Sequence, residues 1–414
     1  MKLDLSALRR AASLTRAGSL VEATRQIQSA LGGSFGRETA KADPGPSSRS
    51  AGAVEAPRIL DLSATPVGKP ATAGPASPAG GPSTRQDGPA GGTARLRKPL
   101  PEVVRGLAAA RRFFDTLPGA GGASASPPIA EGARFLSREF TSPSGARPYR
   151  IYIPASAGDR PDGLVVMLHG CKQNPDDFAV GTRMNEKAEE HRLIVVYPGQ
   201  LSAANPSSCW NWFSPADQRR GGGEPAILAG MAMAVAAEFG IGPERTFVAG
   251  LSAGGAMAAI LAETHPDVFA AAGIHSGLPA GAATDVVSAF QAMKGTGSPK
   301  RPDRRTAARS AARLIVFHGS ADRTVHPSNG EAIVASRASD AEASRDSGRT
   351  PAGRAFTRIV HRAANGVAEV EHWVIDGLGH AWSGGHEGGS YTDPAGLDAS
   401  AEMLRFFLER KATA

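Results

Sequence analysis

A serine stands at the centre of Gly250-Leu251-Ser252-Ala253-Gly254, directly after the β-branched and aromatic run Thr246-Phe247-Val248-Ala249 and directly before Gly255-Ala256-Met257-Ala258-Ala259-Ile260-Leu261. These compositions predict a strand, a sharp turn and a helix, with the serine at the apex. The flanking glycines remove the Cβ atoms that would collide with strand and helix, so the hydroxyl is lifted out of the sheet. A lifted hydroxyl becomes a nucleophile once a base takes its proton. Two loops downstream supply the partners. Asp322 lies in His318-Gly319-Ser320-Ala321-Asp322-Arg323, after the apolar run Arg313-Leu314-Ile315-Val316-Phe317. His380 lies in Gly377-Leu378-Gly379-His380-Ala381-Trp382, after His372-Trp373-Val374-Ile375-Asp376. In this reading Ser252 attacks a carbonyl carbon, His380 accepts its proton, and Asp322 holds the imidazole in the right tautomer. Asp376, at a strand end, reads as a capping or turn carboxylate. His318 ends a core strand, His326 starts a helix and His386 sits in a glycine-rich surface stretch, so each reads as a hydrogen-bonded structural histidine.

Two backbone donors complete the chemistry. The strand Leu164-Val165-Val166-Met167-Leu168 runs into His169-Gly170-Cys171-Lys172-Gln173. The main-chain N–H of Cys171, with that of Ala253, would bind a tetrahedral oxyanion, each donor being worth roughly 3–4 kcal/mol. A thiol nucleophile at Cys171 is disfavoured, since no histidine or carboxylate spacing around it resembles a Cys–His pair. The order serine, acid, histidine, each on a loop after a strand, is that of the α/β-hydrolase fold. The fold class expected is therefore α/β, a mostly parallel central sheet with helices on both faces. A hairpin over 134–154 precedes strands starting near Leu164, Leu193, Thr246, Val268, Arg313 and Val370, and the segments 280–311 and 341–354 are expected to be mobile loop insertions. Between Tyr197 and Gly223, Trp210, Trp212 and Phe213 fill three of four positions in a chain that is only 6% aromatic. With His169 they are the candidate wall of a substrate pocket beside Ser252.

Leu168-His169-Gly170-Cys171-Lys172-Gln173, Val196-Tyr197-Pro198, Cys209-Trp210-Asn211-Trp212-Phe213, the elbow through Gly255, and His275-Ser276-Gly277 together resemble the polyhydroxybutyrate depolymerase esterase family. The resemblance covers 130–410. It implies a single-domain serine esterase acting on short-chain 3-hydroxyalkanoate polyesters or oligomers, with feruloyl and acetylxylan esterases as close relatives. It carries the family triad onto Ser252, Asp322 and His380 and the oxyanion donors onto Cys171 and Ala253. It also implies that Cys171 and Cys209 are bridged, which would tie the oxyanion loop to the tryptophan-rich loop; two buried free thiols are the alternative. No Ser/Thr-rich linker or polymer-binding module follows the helix expected over 397–411, so soluble oligomers, amorphous granules or unrelated esters are expected in preference to crystalline polymer.

Composition separates 131–414, the catalytic domain, from an extension at 1–130. Fourteen of the 31 prolines fall between 41 and 130, where too little apolar surface exists to offset ordering entropy. Within the extension a helical hairpin is expected over 3–31 and an amphipathic helix over 101–117. Residues 1–130 hold 17 Lys/Arg against 9 Asp/Glu, out of 46 and 39 in the whole chain, so the basicity belongs to the extension. It would either pack on the hydrolase or associate with a polyhydroxyalkanoate granule or anionic surface. A surface-associated binding protein is accordingly the reading from another class. Zinc-type, Walker and Rossmann spacings are missing, so neither metal, cofactor nor nucleic acid is expected. No segment approaches 18 apolar residues, which argues against a transmembrane span. Arg9, Arg10, Arg16 and Arg25 interrupt every early apolar run, making the cytoplasm the default location. A bridged Cys171–Cys209 pair would favour an extracellular or periplasmic one.

Overall fold

The computed structural model describes residues 57–62, 126–297, 312–338 and 343–409. The helices expected over 3–31 and 101–117, and most of the proline-rich stretch, lie outside the described residues. Eleven strands form one sheet: β1 (Arg58–Asp61), β2 (Arg134–Ser142), β3 (Gly145–Ile153), β4 (Gly163–Leu168), β5 (Leu193–Pro198), β6 (Thr246–Leu251), β7 (Ala271–His275), β8 (Arg313–Gly319), β9 (Ser344–Arg349), β10 (Ala355–Arg362) and β11 (Ala368–Ile375), in the order β1-β2-β3-β5-β4-β6-β7-β8-β11-β10-β9. The central six, β5-β4-β6-β7-β8-β11, are parallel. Antiparallel strands flank them on both sides.

The parallel strands β4, β5 and β6 are buried at every residue, which a strand sustains only when both faces are covered. Alternate side chains go to opposite layers. Leu164, Val166 and Val248 join the core under helices α3 (Gly223–Glu238) and α4 (Ala253–Thr264). Val165, Met167 and Phe247 join the other core, with Phe178 of α1 (Pro175–Thr182), Met184 of α2 (Met184–His191), and Met403 and Phe406 of α7 (Ala399–Leu408). This is the α/β-hydrolase arrangement, and the carboxyl ends of the parallel strands are where its loops gather.

Several expectations need correction. Arg58–Asp61 is not linker: it pairs antiparallel with β2, turning Ile59 inward opposite Phe140. The strand expected from Val268 begins at Ala271, because the N–H groups of Val268 and Phe269 turn back onto the His265 carbonyl. The insertion at 280–311 contains helix α5 (Val286–Met293), opened by a reciprocal cap in which Asp285 accepts from Ser288 N–H at 2.7 Å. The insertion at 341–354 contains β9, an edge strand held to β10. Helix α6 (Ser328–Arg337) follows the loop after β8, and the final helix is α7, capped by the Asp398 carboxylate on Ala401 N–H.

Candidate active site

The elbow joins β6 to α4. Ser252 sits at φ 57°, ψ −118°, outside the regions that a side-chain-bearing residue prefers, and its N–H is anchored on the His275 carbonyl at 2.9 Å. Both neighbouring glycines are required by space: a Cβ on Gly254 would overlap the Leu168 carbonyl oxygen, and one on Gly250 would overlap the Gly254 backbone. The loop after β4 passes alongside the elbow. A Cβ on Gly170 would stand 3.6 Å from that of Ser252. Among the described residues, neither the Cys171 nor the Ala253 N–H has a protein acceptor, and both residues line a cavity with Ser252.

His380 arrives on the loop after β11. Its Nδ1 is 2.8 Å from Asp322 Oδ2, which leaves Nε2 for the cleft that His380 shares with Ser252, Gly170, Cys171 and Tyr391. Asp322 sits on the loop after β8, its side chain fully buried. Its Oδ1 accepts the N–H groups of Thr324 and Val325, each at 2.9 Å. Burial alone would raise this carboxyl, but its hydrogen bonds to His380 and to the Val325 N–H hold it below the usual carboxylate value. His318 Nε2 donates to the Val325 carbonyl at 2.9 Å and lies 3.6 Å from Asp322 Oδ2; burial keeps this imidazole neutral by pushing its pKa down. Asp376 accepts from the Ser320 hydroxyl on an exposed loop. His326 and His386 bond local Ser328 and Gly388.

The loop after β4, which carries the candidate oxyanion donor Cys171, is fastened from several sides. Gly170 N–H donates to Gln173 Oε1, whose amide nitrogen donates to Asp177 and to the Ser390 carbonyl. Lys172 N–H donates to Ser207 O, and Cys171 is disulfide-bonded to Cys209 across 38 residues. His169 and Trp210, placed by sequence in the substrate wall, instead lie beneath it. His169 is 1% exposed, its Nδ1 facing Gly170 O and its Nε2 accepting from Gln200 N–H, and Trp210 Nε1 donates to the His169 carbonyl. Trp212 and Phe213 do line the cavity, which is walled also by Leu278, Thr324, Val325 and helix α5. Two features escaped sequence reasoning. One is α5 itself, whose Val286, Ala289, Phe290 and Met293 recur at i, i+3, i+4 and i+7 behind a capping aspartate. The other is Glu224 at the start of α3, a buried carboxylate that accepts from Asn211 N–H at 2.7 Å, from Arg147 at 3.3 Å and from Gln200. Burial pushes it up. A lone glutamate after three glycines carries no such signal.

The sequence from 147 to 349 matches the family described as esterase PHB depolymerase. A poly(3-hydroxyalkanoate) depolymerase C from Paucimonas lemoignei is 36% identical over 228 residues, 52% of this chain and 54% of that protein. A probable acetylxylan esterase A from Aspergillus fumigatus is 30% identical, over 46% of this chain and 53% of its own length. A feruloyl esterase B from Neurospora crassa is 30% identical over 58% of this chain and 85% of its own length. The chain thus spans about half the length of the first two of these curated relatives. Among solved structures, the acetyl xylan esterase from Aspergillus awamori superposes with a TM-score of 0.50 at 21% identity, covering 66% of this chain and 98% of that one, a likeness of fold. The fold and these relatives place the protein in the α/β-hydrolase superfamily. Within it, the chain belongs to the polyhydroxybutyrate depolymerase family of esterases.

Proposed function

We propose that this protein is a serine esterase for short-chain carboxylic esters, with 3-hydroxyalkanoate oligomers or amorphous polyester as its substrate class. The observation that carries the reading is Ser252 on a strained elbow, sharing a cleft with a histidine whose far nitrogen is bonded to a buried carboxylate. His380 takes the Ser252 proton as Oγ attacks the ester carbonyl. The oxyanion that forms is met by the Cys171 and Ala253 N–H groups, and His380 then protonates the departing alkoxide to leave an acyl-enzyme. Water activated by the same imidazole attacks the acyl carbon, and collapse of the second oxyanion returns the proton to Ser252. The name of the Paucimonas relative supports a polyester, and the names of the fungal relatives support acetylxylan or feruloyl esters as the second reading. The Cys171–Cys209 bond supports work in an oxidising compartment over the cytoplasmic default. Among the described residues no helix is long and apolar enough to cross a membrane.

The test is Ser252→Ala. Hydrolysis of p-nitrophenyl butyrate should fall by about 10⁶ in kcat with the melting temperature kept, by analogy with serine triads. Retained turnover would remove Ser252 from the mechanism. Product analysis on 3-hydroxybutyrate oligomers, amorphous granules, feruloyl sugars and acetylated xylan separates the substrate classes; feruloyl or acetyl release without oligomer cleavage would replace the polyester reading and leave the mechanism standing.

A further inference from the structure

We propose that helix α5 is the acyl-selecting wall of this enzyme, and that Ala289 and Met293 set the longest acyl chain it accepts. The proposal rests on the esterase reading above. The cavity that opens beside Ser252 is bounded on one side by the oxyanion donors Cys171 and Ala253 and on another by Trp212 and Phe213. Val286, Ala289, Phe290 and Met293 close it. A carbonyl whose oxygen lies at the two N–H groups has its carbon at Ser252 Oγ. Of its two substituents, the group entering this cavity meets mostly aliphatic, aromatic and sulfur surface, the Thr324 hydroxyl and the Trp212 indole N–H being the polar side-chain groups besides Ser252. His380 lines the separate cleft with Tyr391 and protonates the leaving oxygen there, so the alcohol belongs on the His380 side and the acyl chain on the α5 side.

The wall is fixed, not draped. Its amino end is closed by the Asp285–Ser288 cap, and the residue before that turn is tied to the aromatic loop, because Gln218 Nε2 donates both to Trp212 O and to Ala283 O at 2.8 Å. Its carboxyl end is tied to the segment that follows the catalytic acid: His326 N–H donates to Met293 O at 2.7 Å, and Asn329 donates to Ala292 O at 2.9 Å. A helix held by both the tryptophan loop and the acid loop offers a cavity of set depth, and a hydrophobic pocket of set depth discriminates one methylene by about tenfold or more. Ala289 is the smallest of the four facing side chains and 5% exposed, so additional volume there comes directly out of the cavity.

The experiment measures kcat/KM for p-nitrophenyl acetate, butyrate, hexanoate and octanoate with the full chain, and labels Ser252 with a fluorophosphonate in each variant. Ala289→Leu should lower the hexanoate-to-acetate ratio about tenfold, and Met293→Ala should raise the octanoate-to-butyrate ratio by a similar factor. If Ala289→Leu does not fold, Met293→Ala reads the same wall in the opposite direction. Ratios that stay within twofold of wild type in folded, labelled variants would overturn the wall and leave the esterase standing. A wild-type protein that neither labels nor turns over any ester would take down both.

Discussion

At the residue scale, the arrangement around Asp322 separates orientation from charge. The carboxylate accepts from Thr324, Val325 and His380 without solvent, so its anion is held by hydrogen bonds arranged before substrate binds. Asp322→Asn keeps the shape but presents an amide to His380 Nδ1, favouring the wrong tautomer. We expect kcat to fall on the order of 10⁴-fold with little change in KM, measured on a soluble ester. A loss under tenfold would move the acid elsewhere, Asp376 being the alternative in the same region. Sequence reasoning reached Asp322 and His380 because each follows a buried strand. It misplaced His169 and Trp210 because a cluster of aromatics says that a loop is packed, and only the backbone path decides which ring faces the cavity and which lies under it.

At the element scale, the elbow and the loop after β4 are built against each other. The carbonyl of Leu168 closes on Gly254, so the distance between Ser252 and the loop 169–173 is set by the absence of a side chain. Gly254→Ala forces β4 and α4 apart. We expect a loss of more than about 3 kcal/mol, read from urea denaturation, and loss of fluorophosphonate labelling in whatever remains folded. Unchanged stability would mean that the strand and helix yield more easily than two fully buried elements should. The elbow was legible in the chain because its glycines, strand and helix are contiguous. Helix α5 was harder to see: eight residues bounded by small and polar stretches read as a loop, although its apolar positions keep helical spacing. The β9–β10 edge was missed for a related reason, since Ser344–Arg349 is exposed almost throughout and shows no buried run to detect.

At the scale of the whole molecule, neutral histidines are built into the sheet and its loops. Burial pushes His169 and His372 down to about 4 and His275 down to about 3. In the unfolded chain each returns to near 6.5, so between that pH and about 4 the unfolded state binds more protons and stability falls as pH falls. Each group contributes a slope of about 1.4 kcal/mol per pH unit in that window. Denaturant titrations from pH 7 to 4 should show a steep decline that His275→Gln makes shallower, and a flat profile would contradict it. The extension gives a second expectation on this scale. Deleting residues 1–56, which spares β1, should leave kcat/KM on a soluble ester unchanged while binding to anionic vesicles drops, as cosedimentation would record. Equal cosedimentation of both forms would remove residues 1–56 from the anchoring idea. Cutting at 130 is a poorer experiment, because it removes the strand paired with β2.

The backbone of Ser252 has a practical corollary for anyone wishing to harden this enzyme against heat. Its φ of 57° is sustained by the packing of Gly250 and Gly254 around it, so the segment is less stable than a relaxed turn of the same length. Screens that select for melting temperature alone will reward replacements that let this turn unwind, and such variants will survive heating as inert proteins. Thermostabilising libraries should hold 250–254 and 169–171 constant and draw their gains from the exposed β9–β10 edge, where nothing touches the chemistry.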